Sequence, residues 1–106
     1  MDSYNSKLLH YLSTGFEQKM LDRIAELAAD LTPISEMAAL LDLNEDMLRL
    51  AINDKSSPVR KVYLKAKAET ANKLRKQEIE LAEVGSPLAV QLTSAYLRDM
   101  QADEDF

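Results

Sequence analysis

The sequence predicts an all-α fold: a domain of short helices, then a long helix and an antiparallel C-terminal helix forming a helical hairpin. Three observations carry that expectation. The 106 residues include only two glycines and three prolines, while Ala, Leu, Glu, Lys, Met and Gln, which lose least on entering a helix, dominate. Apolar residues recur at three- and four-residue steps along most of the chain. Glycine and proline fall at the ends of those periodic stretches.

From Ser3 to about Ser13 an amphipathic helix is expected, with Leu8, Leu9 and Leu12 apolar and Gly15 as terminator. A second helix spans about Glu17 to Leu31. Met20, Leu21, Ile24, Leu27, Ala28 and Leu31 form its apolar face, opposite Asp22, Glu26 and Asp30. Pro33 ends it, because it disfavours a helical Thr32. A third helix, from Ile34 or Ser35 to Leu41, buries Met37, Ala38 and Leu41. After the turn "DLN", Asn44 caps a fourth helix, and Glu45 and Asp46 suit the positive end of its dipole. That helix turns Leu48, Ala51 and Ile52 inward and fades at "NDKSS".

Pro58 suits the first turn of a fifth helix capped by Ser57 or Ser56, and Gly85 marks its stop. Val62, Tyr63, Ala66, Thr70, Leu74, Gln77, Leu81 and Val84 make one stripe along it. Lys61, Lys65, Arg75 and Lys76 project from the opposite side. Its length, about 40 Å at roughly 1.5 Å per residue, exceeds what a three-helix core needs. Ser86 and Pro87 start a sixth helix carrying Leu88, Leu92, Ala95 and Tyr96. Folded back, Leu88, Leu92 and Tyr96 would meet Val84, Leu81, Gln77 and Leu74, leaving Tyr63, Ala66 and Thr70 for the preceding helices. Ile79, Ala82 and Leu97 lie on other faces and are expected between subunits of a homo-oligomer. The organisation is therefore an N-terminal helical domain over 1–57, an oligomerisation segment over 58–101, and an acidic tail over 102–106.

Composition excludes several functions. Apolar residues are 46% and charged residues 29%, a soluble globular balance rather than a disordered one. No cysteine is present, so disulfides and thiolate metal sites are excluded. No apolar run nears the roughly 20 residues that span a bilayer, and "MDSYNSKLLHYLSTG" is too polar for a signal peptide. A cytoplasmic location, with no membrane partner, is expected. The single histidine, His10, has no neighbouring ligand and reads as structural. "DLNED" lacks the ligand spacing and glycine of a calcium loop, and no glycine-rich phosphate cradle exists. Glu78, Glu80 and Glu83 follow Lys73, Arg75 and Lys76 as a salt-bridged helix face. No catalytic residue, cofactor or metal is expected.

Net charge is −5, which taken whole opposes phosphate binding. The charge is segregated, however. From Lys55 to Lys76, eight basic residues face Glu69 alone, a net of +7 that leaves −12 elsewhere.

The stretch "SEMAALLDLNEDMLRLAI" has the parts of a helix-turn-helix over residues 34–53. Ala38 is the small residue at the crossing and Leu43 the apolar turn plug. Met37, Leu41, Leu48 and Ile52 are the anchors. It resembles the helix-turn-helix of homeodomain-like bacterial and phage proteins. Asp42 stands where those proteins usually have Gly, so a left-handed turn residue is expected there. The exposed side of the second helix would carry Glu45, Asp46, Arg49, Leu50 and Asn53, of which Arg49 and Asn53 are typical base or phosphate partners. Lys55, Arg60, Lys61 and Lys65 would then clamp the backbone.

The continuation through "VYLKAKAE" into a long helix and a further helix looks like phage and prophage terminase small subunits, over Ile34 to about Met100. That resemblance implies a DNA-binding domain followed by helices that assemble subunits. It also implies a role in genome packaging, recognising viral double-stranded DNA for a large terminase subunit. Two other readings stay open. A small transcriptional regulator would be a symmetric dimer on a palindromic site. A helical protein-interaction module would bind no nucleic acid, consistent with the acidic start of the fourth helix.

Overall fold

The computed structural model describes residues 17–104. The helix expected over Ser3–Ser13, and His10 with it, lies outside the described residues. Five helices follow one another: α1 (Gln18–Ala29), α2 (Ile34–Leu41), α3 (Glu45–Asn53), α4 (Pro58–Glu83) and α5 (Pro87–Glu104). The all-α class holds for the described residues.

The chain divides into two compact units at Thr70/Ala71. The division falls inside α4 rather than at its start. The N-terminal unit buries one cluster: Ile24, Leu27 and Ala28 of α1, Met37 and Ala38 of α2, Leu48, Ala51 and Ile52 of α3, and Val59, Tyr63 and Ala66 of α4. The three-to-four-residue spacing of each set is what gathers it on one face of its helix. Leu41 and Leu43 pack half-buried against this cluster. The expected inward residues of the three short helices are in place except Leu31, which is 45% exposed because the chain leaves α1 at Ala29; Tyr63 and Ala66 are also in place. Thr70 joins the same unit, its Oγ1 donating to the Ala29 carbonyl at 2.6 Å.

The C-terminal unit is built differently. Gly85, at φ +95°, ends α4 in a left-handed conformation that open space around its Cα would not otherwise demand. Ser86 Oγ then accepts from Ala89 N–H at 3.3 Å at the start of α5. The Arg75 guanidinium lies over the Tyr96 ring, 5.8 Å from its centroid. Since these residues sit ten and eleven positions either side of Gly85, α5 returns beside α4.

The expected seam is not the one formed. Leu74, Leu81, Val84 and Leu88 are exposed, Val84 by 82%. The half-buried α4 residues are Ala71, Glu78 and Ala82, and in α5 Ala89 is buried while Leu92, Thr93, Ala95 and Tyr96 are half-buried. At 100° per residue, Ala71, Glu78 and Ala82 share a face about a third of a turn from the one carrying Tyr63, Ala66 and Thr70. Following a single stripe along all of α4 therefore placed the wrong leucines inside. Ala82, expected between subunits, is half-buried on this face. Ile79 and Leu97 are exposed.

Candidate nucleic-acid interface

The α2–turn–α3 pair is organised by its backbone. Leu43 N–H donates to the Ala38 carbonyl at 2.9 Å and Asp42 N–H to Ala39 at 3.3 Å, closing α2. Asp42 takes φ 55° and ψ 45°, the left-handed conformation expected of it. Two residues on, Asn44 Oδ1 accepts from Met47 N–H at 3.1 Å and caps α3. A three-residue turn thus holds two short helices packed against each other.

The open side of α3 carries Glu45, Asp46, Arg49, Leu50 and Asn53, all exposed. Arg49 is not extended freely into solvent. Its Nε donates to Glu45 Oε2 at 3.1 Å, and both side chains are about half exposed, at 47% and 45%. The pair is an i,i+4 match in the favourable order, acid before base. Asn53 is the last residue of α3, and Lys55 lies exposed in the turn beyond it.

That turn is fastened by Asp54, whose Oδ1 accepts from Ser56 Oγ at 2.8 Å and Ser56 N–H at 3.0 Å. The Ser56 hydroxyl, then its amide, hold the Asp54 carboxyl below the ordinary aspartate value. Ser57, not Ser56, caps α4: its buried Oγ accepts from Val59 N–H at 3.1 Å.

Arg60 plays a part that spacing did not announce. Its Nη1 donates to the Ile52 carbonyl at 3.0 Å, closing the C-terminal end of α3 from the first turn of α4. The residue expected on phosphate is therefore first a brace for α3. Lys61 and Lys65 are exposed one turn apart on the α4 face away from the core. The structure brings Arg49 to Glu45 and Arg60 to the end of α3; Lys61 and Lys65 form their own patch. Lys67, left outside the expected clamp, lies 5.7 Å from the Tyr63 ring centroid. The Glu45–Arg49 pairing was legible in its four-residue spacing. The Arg60 contact was not, because it depends on how the chain turns between Ile52 and Pro58.

In the C-terminal unit, an open groove of about 510 Å³ runs between α4 and α5. Ile79, Tyr96, Leu97 and Met100 line it together with Arg75, Asp99 and Asp103. Among the described residues no helix is long and apolar enough to cross a membrane, and no group of three acidic or histidine side chains is placed to hold a metal. No protein-family model, no curated protein and no solved structure matches this chain.

Proposed function

We propose that the protein is a DNA-binding, self-associating adaptor, of the kind that the resemblance to terminase small subunits implies. One observation carries the reading: a left-handed Asp42 and a capped Asn44 set α3 on α2 with Arg49 and Asn53 on its open side. In helix-turn-helix proteins a second helix following such a short turn enters the major groove. Asn53 and Arg49 are the base-edge candidates, and Lys55, Lys61 and Lys65 supply phosphate contacts, with Arg60 bracing α3. Packaging of viral DNA with a large terminase subunit follows from the same resemblance, and the cytoplasm is the location proposed from the polar N-terminal sequence.

Self-association is supported by the exposed Ile79 and Leu97 and by the apolar groove they line. Contiguous apolar surface of this kind marks interaction sites in soluble proteins. Native mass spectrometry separates the packaging reading, which requires a larger assembly, from a transcriptional regulator, which requires a dimer.

The test of DNA binding is electrophoretic mobility shift with duplex DNA at low salt. The parent protein is expected to bind with affinity that falls steeply as salt rises. Lys61→Glu with Lys65→Glu is expected to weaken binding across all sequences; unchanged binding removes these lysines from the interface. Absence of binding by the parent overturns the reading in favour of a protein-interaction module, which the exposed Glu45 and Asp46 favour.

A further inference from the structure

Exposed i,i+4 ion pairs contribute little to folding, and a glutamate on the open side of α3 opposes approach to phosphate. Glu45 nevertheless engages Arg49, the one arginine on that side, and through a single atom: Arg49 Nε to Glu45 Oε2 at 3.1 Å. Favourable interaction with the helix dipole requires no such partner, and Asp46 is equally placed to supply it. We infer that the Glu45–Arg49 pair makes α3 a selective reader of guanine, with Glu45 as a positioning residue and Arg49 as the contact. This rests on the DNA-binding reading above.

The chemistry follows from which nitrogen is held. With Nε on the carboxylate, the terminal edge of the guanidinium, Nη1 and Nη2, forms a two-donor fork. That fork matches the paired O6 and N7 acceptors that guanine alone presents in the major groove. Arginine is a long side chain with many rotamers, so tethering it at Nε lowers the ordering cost of reaching a base edge. Arg49 stands on the second turn of α3, close to the N-terminal part by which a recognition helix meets bases.

The carboxylate also acts against the wrong sequence. It neutralises Arg49 locally, so the arginine adds no general attraction to the backbone. Where no guanine takes the fork, the neutral pair gains nothing from the groove to offset its loss of water. Selectivity then arises partly from disfavouring other sites.

The experiment uses the full chain. A randomised 20-base-pair duplex pool is selected on the protein at low salt and sequenced. The enriched duplex and a scrambled one are then titrated by fluorescence anisotropy. A guanine is expected to be fixed in the enriched set. Replacing it by 7-deazaguanine, which lacks N7, should weaken the parent about tenfold or more and change Arg49→Lys little. Glu45→Gln should shrink the enriched-to-scrambled affinity ratio about tenfold, mainly by tightening the scrambled duplex, and steepen the salt slope by about one as Arg49 is freed for phosphate, with thermal unfolding little changed. Duplex binding without guanine enrichment, indifference to 7-deazaguanine, or equal weakening of both duplexes by Arg49→Lys overturns the inference and leaves DNA binding standing. Failure to bind any duplex removes both together.

Discussion

Leu31, Asp42 and Gly85 do the same work at three helix ends. Each takes positive φ, at 58°, 55° and 95°, and each sits within a pair of reversed hydrogen bonds. Thr32 and Leu31 N–H return to the Leu27 and Ala28 carbonyls, Leu43 and Asp42 to Ala38 and Ala39, and Ser86 and Gly85 to Leu81 and Ala82. Glycine adopts this conformation freely, aspartate tolerates it, and leucine does so at a cost of about 1–2 kcal/mol. Asp42→Ala is expected to unfold at lower denaturant than Asp42→Gly, by about 1 kcal/mol. Both variants lack the carboxylate, so their difference isolates the backbone term. Asp54 gives a second test at this scale. Its carboxyl is lowered by the Ser56 hydroxyl and amide, so the contact is fully present above the ordinary aspartate range and is lost as pH falls through the lower folded value. Ser56→Ala should move the Asp54 titration, followed by carboxyl chemical shift, back upwards.

Between elements, α4 acts as a brace. Its Arg60 closes the carbonyl end of α3 at Ile52, and its Thr70 closes that of α1 at Ala29. Both contacts satisfy C-terminal carbonyls that a helix cannot satisfy itself. Thr70→Val keeps the shape and deletes the donor; it is expected to destabilise the protein by about 1–2 kcal/mol in chemical denaturation, with Thr70→Ser largely restoring it. Arg60→Met should cost about 1 kcal/mol, and any loss of DNA affinity in that variant includes the loosening of α3. The same helix shows why one apolar stripe misleads. Its N-terminal half presents Val59, Tyr63 and Ala66 to one core, whereas in its C-terminal half Ala71, Glu78 and Ala82, on a different face, are the half-buried residues.

At the scale of the whole molecule, burial is uneven. Eleven buried residues form the N-terminal cluster, whereas Ala89 is the one buried apolar residue described beyond Thr70. Amide exchange should therefore be slow in α1, α2, α3 and the first half of α4. Beyond residue 73 it should be fast at low protein concentration and slow down as concentration rises. Ile79→Glu with Leu97→Glu is expected to retain helical circular dichroism while sedimentation shifts towards monomer. Each such side chain contributes at most about 1.5–3 kcal/mol of burial, so the proposed assembly through this groove would be concentration-dependent. A double variant that sediments like the parent would place the contact elsewhere, with Leu74, Leu81, Val84 and Leu88 the next surface to change.

Sequence alone determined what local chemistry controls. Helix spacing, the Asn44 cap, the left-handed Asp42, Pro58 in the first turn of α4 and the stop at Gly85 each depend on residues within a few positions of one another. The inward faces of α1, α2 and α3 were equally legible, because a helix with one apolar side has one way to bury it. Leu31 was not: it continues the apolar spacing of α1, yet the chain leaves the helix at that residue. Only the tertiary structure decided that Thr70 reaches Ala29, that Arg60 serves Ile52, and that Arg75 of α4 lies over Tyr96 of α5. Those contacts depend on how separate helices lie in space, and periodicity carries no information about which of two neighbouring faces a long helix turns to its partner.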